Sequence, residues 1–218
     1  MLEVPIRLRR LLLWPWQWVF ALALAMTIAS AWRSVQEIPS VAREGGLTLT
    51  ALSAPLHALN SLMLVARIYV GNTGLFAQLR RRACSRGDNW WLILHGLVLA
   101  ALPFLAADST AYFGGVGTLM LCNTIWLELR RSRLVDQMCS PRALRIRARE
   151  RVRPAYDALT LWVRNNIVHI VIGLAVVVYL RDNEYLVLAL QGVLFSNNVI
   201  DLGAVSEPYT KAMAQSPD

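Results

Sequence analysis

Leu161 to Val205 reads LWVRNNIVHIVIGLAVVVYL, then RDNE, then YLVLALQGVLFSNNVIDLGAV. Two continuous apolar runs, 161–180 and 185–205, are separated by a charged link. Each is about 20 residues, the length a helix needs to cross a hydrocarbon core of about 30 Å. The runs are unbroken rather than alternating, which argues against barrel strands. An open sheet cannot satisfy its backbone in lipid at all. The segment therefore predicts a helical hairpin in a membrane.

Four more blocks of the same kind precede it, near 16–32, 56–79, 90–107 and 112–129. The expected fold is all-α: a polytopic membrane protein, a bundle of about six transmembrane helices with short loops. Residues 1–218 then form a single membrane domain, interrupted by a basic connector at 130–160. Composition agrees. Of 218 residues 56% are apolar and 17% charged, against roughly 25% charged in soluble domains. A disordered chain and a disulfide scaffold are excluded.

The net charge of +8 would suggest nucleic acid in a soluble protein. In a membrane protein it sets topology. Arg7, Arg9 and Arg10 precede the first block, and Arg80, Arg81, Arg82 and Arg86 lie between the second and third. Nine arginines from Arg130 to Arg153 separate the fourth from the fifth, whereas the alternate links hold Arg33 and Arg43, then none, then Arg181. This asymmetry predicts both termini in the cytoplasm and a multi-pass protein of the plasma (inner) membrane. Arg33 to Pro55 is then the main outer aqueous segment. Trp14, Trp16, Trp18, Trp90, Trp91, Trp126 and Trp162 all fall at the inner boundary, where an interfacial belt is expected. Ala29-Ser30-Ala31 looks like a cleavage site, but Trp14-Pro15-Trp16 departs from a signal peptide, so the first helix is expected to be retained.

Within the connector, arginines alternate with Ala, Leu, Ile and Val from Arg142 to Arg153. Arg142, Arg145, Arg149 and Arg153 are expected on the inner membrane surface, each gaining about 1 kcal/mol from anionic headgroups. The expected partners are thus the bilayer, including its anionic lipids, and further protein subunits in a homo-oligomer or membrane complex. Nucleic acid is not an expected partner. Cys84, Cys122 and Cys139 give neither a disulfide framework nor a metal site, and no metal or cofactor motif is present. No cofactor is expected.

Polar residues inside the blocks carry the functional signal. In the second block His57, Asn60, Leu64, Arg67, Gly71 and Gly74 follow a 3-4 repeat and so share one helix face. Polar and small residues together let membrane helices approach closely, and an intramembrane Arg commonly marks a pathway. The stripe therefore reads either as helix glue or as a water-lined path. The sixth block repeats the theme with Gln191, Asn198 and Asp201, Asn197 adjacent; the fourth adds Asn123, and the third a lone His95. Arg67 stays charged and needs an acid, carbonyls or water. Asp108, Asp182 and Glu184 lie at the outer boundary and Glu128 has arginine neighbours, which leaves Asp201 as its partner. The block bounds place Asp201 nearer the inner face than Arg67.

Arg164-Asn165-Asn166-Ile167-Val168-His169 resembles the R-N-x-x-x-H signature of HEPN ribonucleases. The likeness covers these six residues and implies Arg164 and His169 acting at an RNA phosphate, with Asn165 in the motif. On a helix, residues five apart lie about 140° apart. The leading expectation is a non-enzymatic protein, an oligomeric pore or ion-pathway component. The alternatives are a non-conducting structural subunit of a larger membrane assembly, or a membrane-tethered HEPN-like ribonuclease.

Overall fold

A computed structural model describes residues 15–45, 49–78, 86–139 and 146–214. These residues form six helices: α1 Pro15–Gly45, α2 Leu49–Gln78, α3 Arg86–Leu105, α4 Ser109–Cys139, α5 Ile146–Ala175 and α6 Glu184–Ala214. A π-helical turn, Val176–Leu180, ends α5. Three helices are long and apolar enough to cross a membrane: Gln17–Pro39 in α1, Leu159–Leu180 at the end of α5, and Glu184–Ala204 in α6. In α2 the apolar character is diluted by His57, Asn60, Arg67 and Asn72, all of them buried.

The helices outrun the apolar blocks. α1 continues past Trp32 to Gly45, and α2 begins at Leu49, so most of the segment expected to be outer aqueous chain is helical. Likewise residues 130–139 continue α4 and residues 146–160 begin α5, so the basic connector is largely two helical extensions. Side-chain pairs lie along the α4 and α5 extensions. Arg131 meets Glu128 at 2.8 Å, and its guanidinium lies 5.7 Å from the Tyr156 ring on α5. Arg153 lies 3.8 Å from Asp157 in an exposed pair, a contact of little energetic value. Arg142 and Arg145 fall outside the described residues.

Sharp turns join α3 to α4 and α5 to α6. After α3, Asp108 Oδ1 accepts the backbone N–H groups of Thr110 and Ala111 at 2.8 and 3.1 Å and so caps α4. Asn183 does the same for α6, accepting the Leu186 N–H at 3.1 Å. These caps satisfy otherwise orphaned helix-start donors.

Packing is close where glycine permits it. α4 and α5 pack against each other through Gly117 and Gly173, and a Cβ on Gly173 would lie 2.8 Å from the Phe113 carbonyl oxygen. At Gly71 of α2 the bare backbone receives the Trp162 indole of α5. Trp162 is consequently buried, and Trp126 of α4 is buried as well, so neither ring faces outward from the bundle as expected of a belt residue. Trp18 and Trp90 are exposed, about 71% each. Position along the chain does not decide whether a tryptophan turns inward; for Trp162 the bare backbone of Gly71 makes the room.

Candidate functional site

Most polar side chains in these helices satisfy themselves. The hydroxyls of Thr27, Thr73, Thr124 and Ser196 each donate to the carbonyl four residues earlier, which is the inexpensive solution in an apolar setting. The stripe of α2 behaves differently, because its polar groups reach across to other helices.

α2 and α6 run parallel in a fixed register. His57 and Arg67 on α2 meet residues 134 positions further on, while Asn60 and Arg67 meet residues 131 positions on. Arg67 Nε forms an ion pair with Asp201. Its Nη1 donates to Asn198 Oδ1 at 3.3 Å and its Nη2 to Asn166 Oδ1 of α5 at 2.8 Å. Asn165 Nδ2 completes the ring by donating to Asp201. His169 joins from α5, its Nε2 at 3.0 Å from Asn198 Oδ1 and its Nδ1 at 2.9 Å from the Asn165 carbonyl oxygen. Asn197 Nδ2 lies 3.4 Å from that same Nδ1. Arg67, Asp201, Asn166, Asn198 and His169 are all buried. The parallel register explains the pairing that block bounds place at different depths: level with Arg67 on α6 lie residues 198 to 201.

A second polar layer, termed the outer layer because it lies toward the α3–α4 and α5–α6 turns, sits about two turns nearer the starts of α2 and α6. His57 Nδ1–H donates to the Ala106 carbonyl at 2.9 Å, and its Nε2 accepts from Gln191 Nε2 at 2.6 Å. Both contacts suit one neutral tautomer. Asn60 Nδ2 donates to the Gln191 carbonyl at 3.2 Å, and Ser61 Oγ donates to the Tyr112 hydroxyl at 3.2 Å. The His57 ring lies 4.2 Å from that of Tyr112.

Between the layers lie Leu64 of α2 and Leu194 of α6, the latter slightly nearer the His57 layer in this register, both about 1% exposed. The interior along α2 thus alternates: His57, Asn60 and Gln191; then leucine; then the Arg67 cluster; then Trp162 seated on Gly71. Besides the Trp162 indole N–H and Asp201 Oδ2, which Arg67 engages as an ion pair, four buried amide atoms on this line have no hydrogen-bond partner among the described residues. In the outer layer they are the acceptors Asn60 Oδ1 and Gln191 Oε1, in the inner layer the donors Asn166 Nδ2 and Asn198 Nδ2. Arg67 holds the oxygens of both inner amides, so neither amide can turn to exchange donor for acceptor. Each unpaired buried group costs about 1–3 kcal/mol.

Outside this column, Asn123 is buried on α4 but stands apart from the Arg67 cluster. His95 is also buried, its Nδ1 3.0 Å from the Trp91 carbonyl one turn back. Arg164 is exposed while His169 is buried, so the structure does not bring the two motif residues to one face. Asn165 of that motif serves Asp201 instead. Three members of the column were not singled out in the sequence: Asn166, Ser61 and Tyr112. Asn165-Asn166 was visible as a polar pair, but adjacent helix residues point about 100° apart, and only the three-helix packing lets both face inward.

Above the outer layer opens a cavity of about 280 Å³, lined by Ser53, Asp108, Thr110, Arg181, Glu184 and Val187 among others. Val187 stands one turn before Gln191, and Ser53 one turn before His57. Comparison with protein-family models, characterised proteins and solved structures gives no match.

Proposed function

We propose that the chain is a six-span inner-membrane protein, both termini cytoplasmic, whose α2–α5–α6 interior is an ion pathway held closed. The observation that carries this reading is Arg67. A guanidinium buried among three helices, with an acid and two amides arranged around it, is more than packing requires. Where ionisable groups lie at membrane depth, they commonly mark ion routes. The unmatched groups point the same way, since water can donate to Asn60 and Gln191 and accept from Asn166 and Asn198. Leu64 and Leu194 act as a dry constriction, the type of gate that closes by excluding water. Trp162 on Gly71 closes the inner end.

The path lies within one chain, so a pore shared between subunits is not required for it. No enzymatic step is part of this reading. The basic stretch that includes Arg142, Arg145, Arg149 and Arg153 rests against anionic lipid on the cytoplasmic face.

The test is flux from liposomes holding the purified protein, read with dyes for K⁺, Cl⁻ and H⁺. The parent should leak little. Leu64→Ser combined with Leu194→Ser should raise passage of at least one ion about tenfold or more, because wetting removes the constriction. A folded double variant that passes none of the three ions above the parent's level would favour a non-conducting structural subunit.

A further inference from the structure

We propose that the outer cavity is a binding site for a small zwitterion, an amine and a carboxylate joined by a short carbon chain. The cavity of about 280 Å³ carries charges of both signs from two different hairpin turns. Asp108 comes from the α3–α4 turn, and Arg181 from the α5–α6 turn. A ligand of a single sign would satisfy one turn and be opposed at the other. A zwitterion bridges them, its ammonium toward Asp108 and its carboxylate toward Arg181.

The groups are available for these roles. Asp108 Oδ1 is committed to capping α4, but the carboxylate has a second oxygen and its charge. Arg181 pairs with its neighbour Asp182 at 3.5 Å, with both side chains well exposed. Such a pair is worth about 0–1 kcal/mol and yields easily to a bidentate carboxylate. Hydroxyls of Ser53, Ser109 and Thr110 line the cavity and can donate or accept, while Val187 and Leu188 offer an apolar wall for the carbon chain. Glu184 adds a second acid beside Arg181, which disfavours a purely anionic ligand there.

The site goes beyond the pathway reading and does not depend on it, because binding is measured without flux. Three near-isosteric probes separate the requirements: 3-aminopropanoate, propanoate and propylamine. Each is titrated into the full-length protein in detergent micelles, with binding read by saturation-transfer NMR and calorimetry. The zwitterion should bind about tenfold more tightly than either singly charged analogue, since only it satisfies both turns. Arg181→Gln should abolish its advantage over propylamine. Asp108→Asn should abolish its advantage over propanoate, and because Asn caps helices as well as Asp, α4 stays intact. Equal binding of all three probes, no binding of any, or full preference retained in both variants overturns the proposal. Binding with no flux in liposomes would leave this site standing and count only against the pathway.

Discussion

Arg67→Ala is expected to destabilise the protein by about 3–5 kcal/mol, a large share of the roughly 5–15 kcal/mol that holds a typical domain together. Truncation removes the cation but leaves the Asp201 carboxylate buried, and it frees the oxygens of Asn166 and Asn198 that the guanidinium had bonded. Asp201→Ala should cost a similar amount for the converse reason, because the guanidinium cannot discharge by losing its proton. Replacing both, as Arg67→Met with Asp201→Leu, removes the charges together and should cost clearly less than the two single changes summed. Unfolding titrations in mixed micelles give all four corners of this cycle. Strict additivity would mean that Arg67 and Asp201 are energetically independent despite their contact.

The second large effect is expected at glycine. In Gly71→Ala the new methyl falls on the Trp162 indole. A rigid, buried ring has nowhere to turn, so α2 and α5 must part, at a cost of about 1–3 kcal/mol or more. Gly173→Ala should be at least as harmful. Its Cβ would lie 2.8 Å from the Phe113 carbonyl oxygen and 3.1 Å from the Gly117 Cα; both are backbone atoms that cannot move without the helices. Gly192→Ala and Gly203→Ala are the controls, since nothing lies within 4 Å of either Cβ. They should be neutral or slightly stabilising, because alanine is the better helix former. Trp162→Leu should partly rescue Gly71→Ala by emptying the space the ring held. Thermal melts that rank the four glycine variants together would contradict this packing.

The sequence discloses some of this arrangement and conceals the rest for physical reasons. Periodicity marks the stripe of α2, because residues three and four apart share a face, and His57, Asn60, Leu64, Arg67 and Gly71 are indeed buried along it. Elimination of the other acids selects Asp201 for Arg67. What periodicity cannot supply is register between helices. The parallel offset of α2 and α6 brings Asp201 level with Arg67, whereas hydropathy boundaries set them apart. Nor does composition show where apolar helix ends and polar helix continues. Residues 33–45 and 130–139 read as aqueous chain yet stay helical, continuing α1 and α4. Trp162 illustrates a third limit. Its inward turn depends on a glycine some ninety residues earlier in the chain, which no local reading of α5 contains.

On the pathway reading, the inward face of α2 borders a closed water path rather than dry helix glue. Cysteine accessibility tests it most directly, in a chain whose Cys84, Cys122 and Cys139 are replaced by serine. Leu64→Cys lies on the constriction, and Leu59→Cys lies on the outer face of the same helix, where Leu59 is about 40% exposed. A charged, water-borne thiol reagent should modify neither cysteine while Leu194 is intact. With Leu194→Ser added, Leu64→Cys should become reactive and Leu59→Cys should stay silent in lipid. If Leu64→Cys remains unreactive in the folded Leu194→Ser protein, the layers of α2 and α6 are packing alone, and the pathway is contradicted.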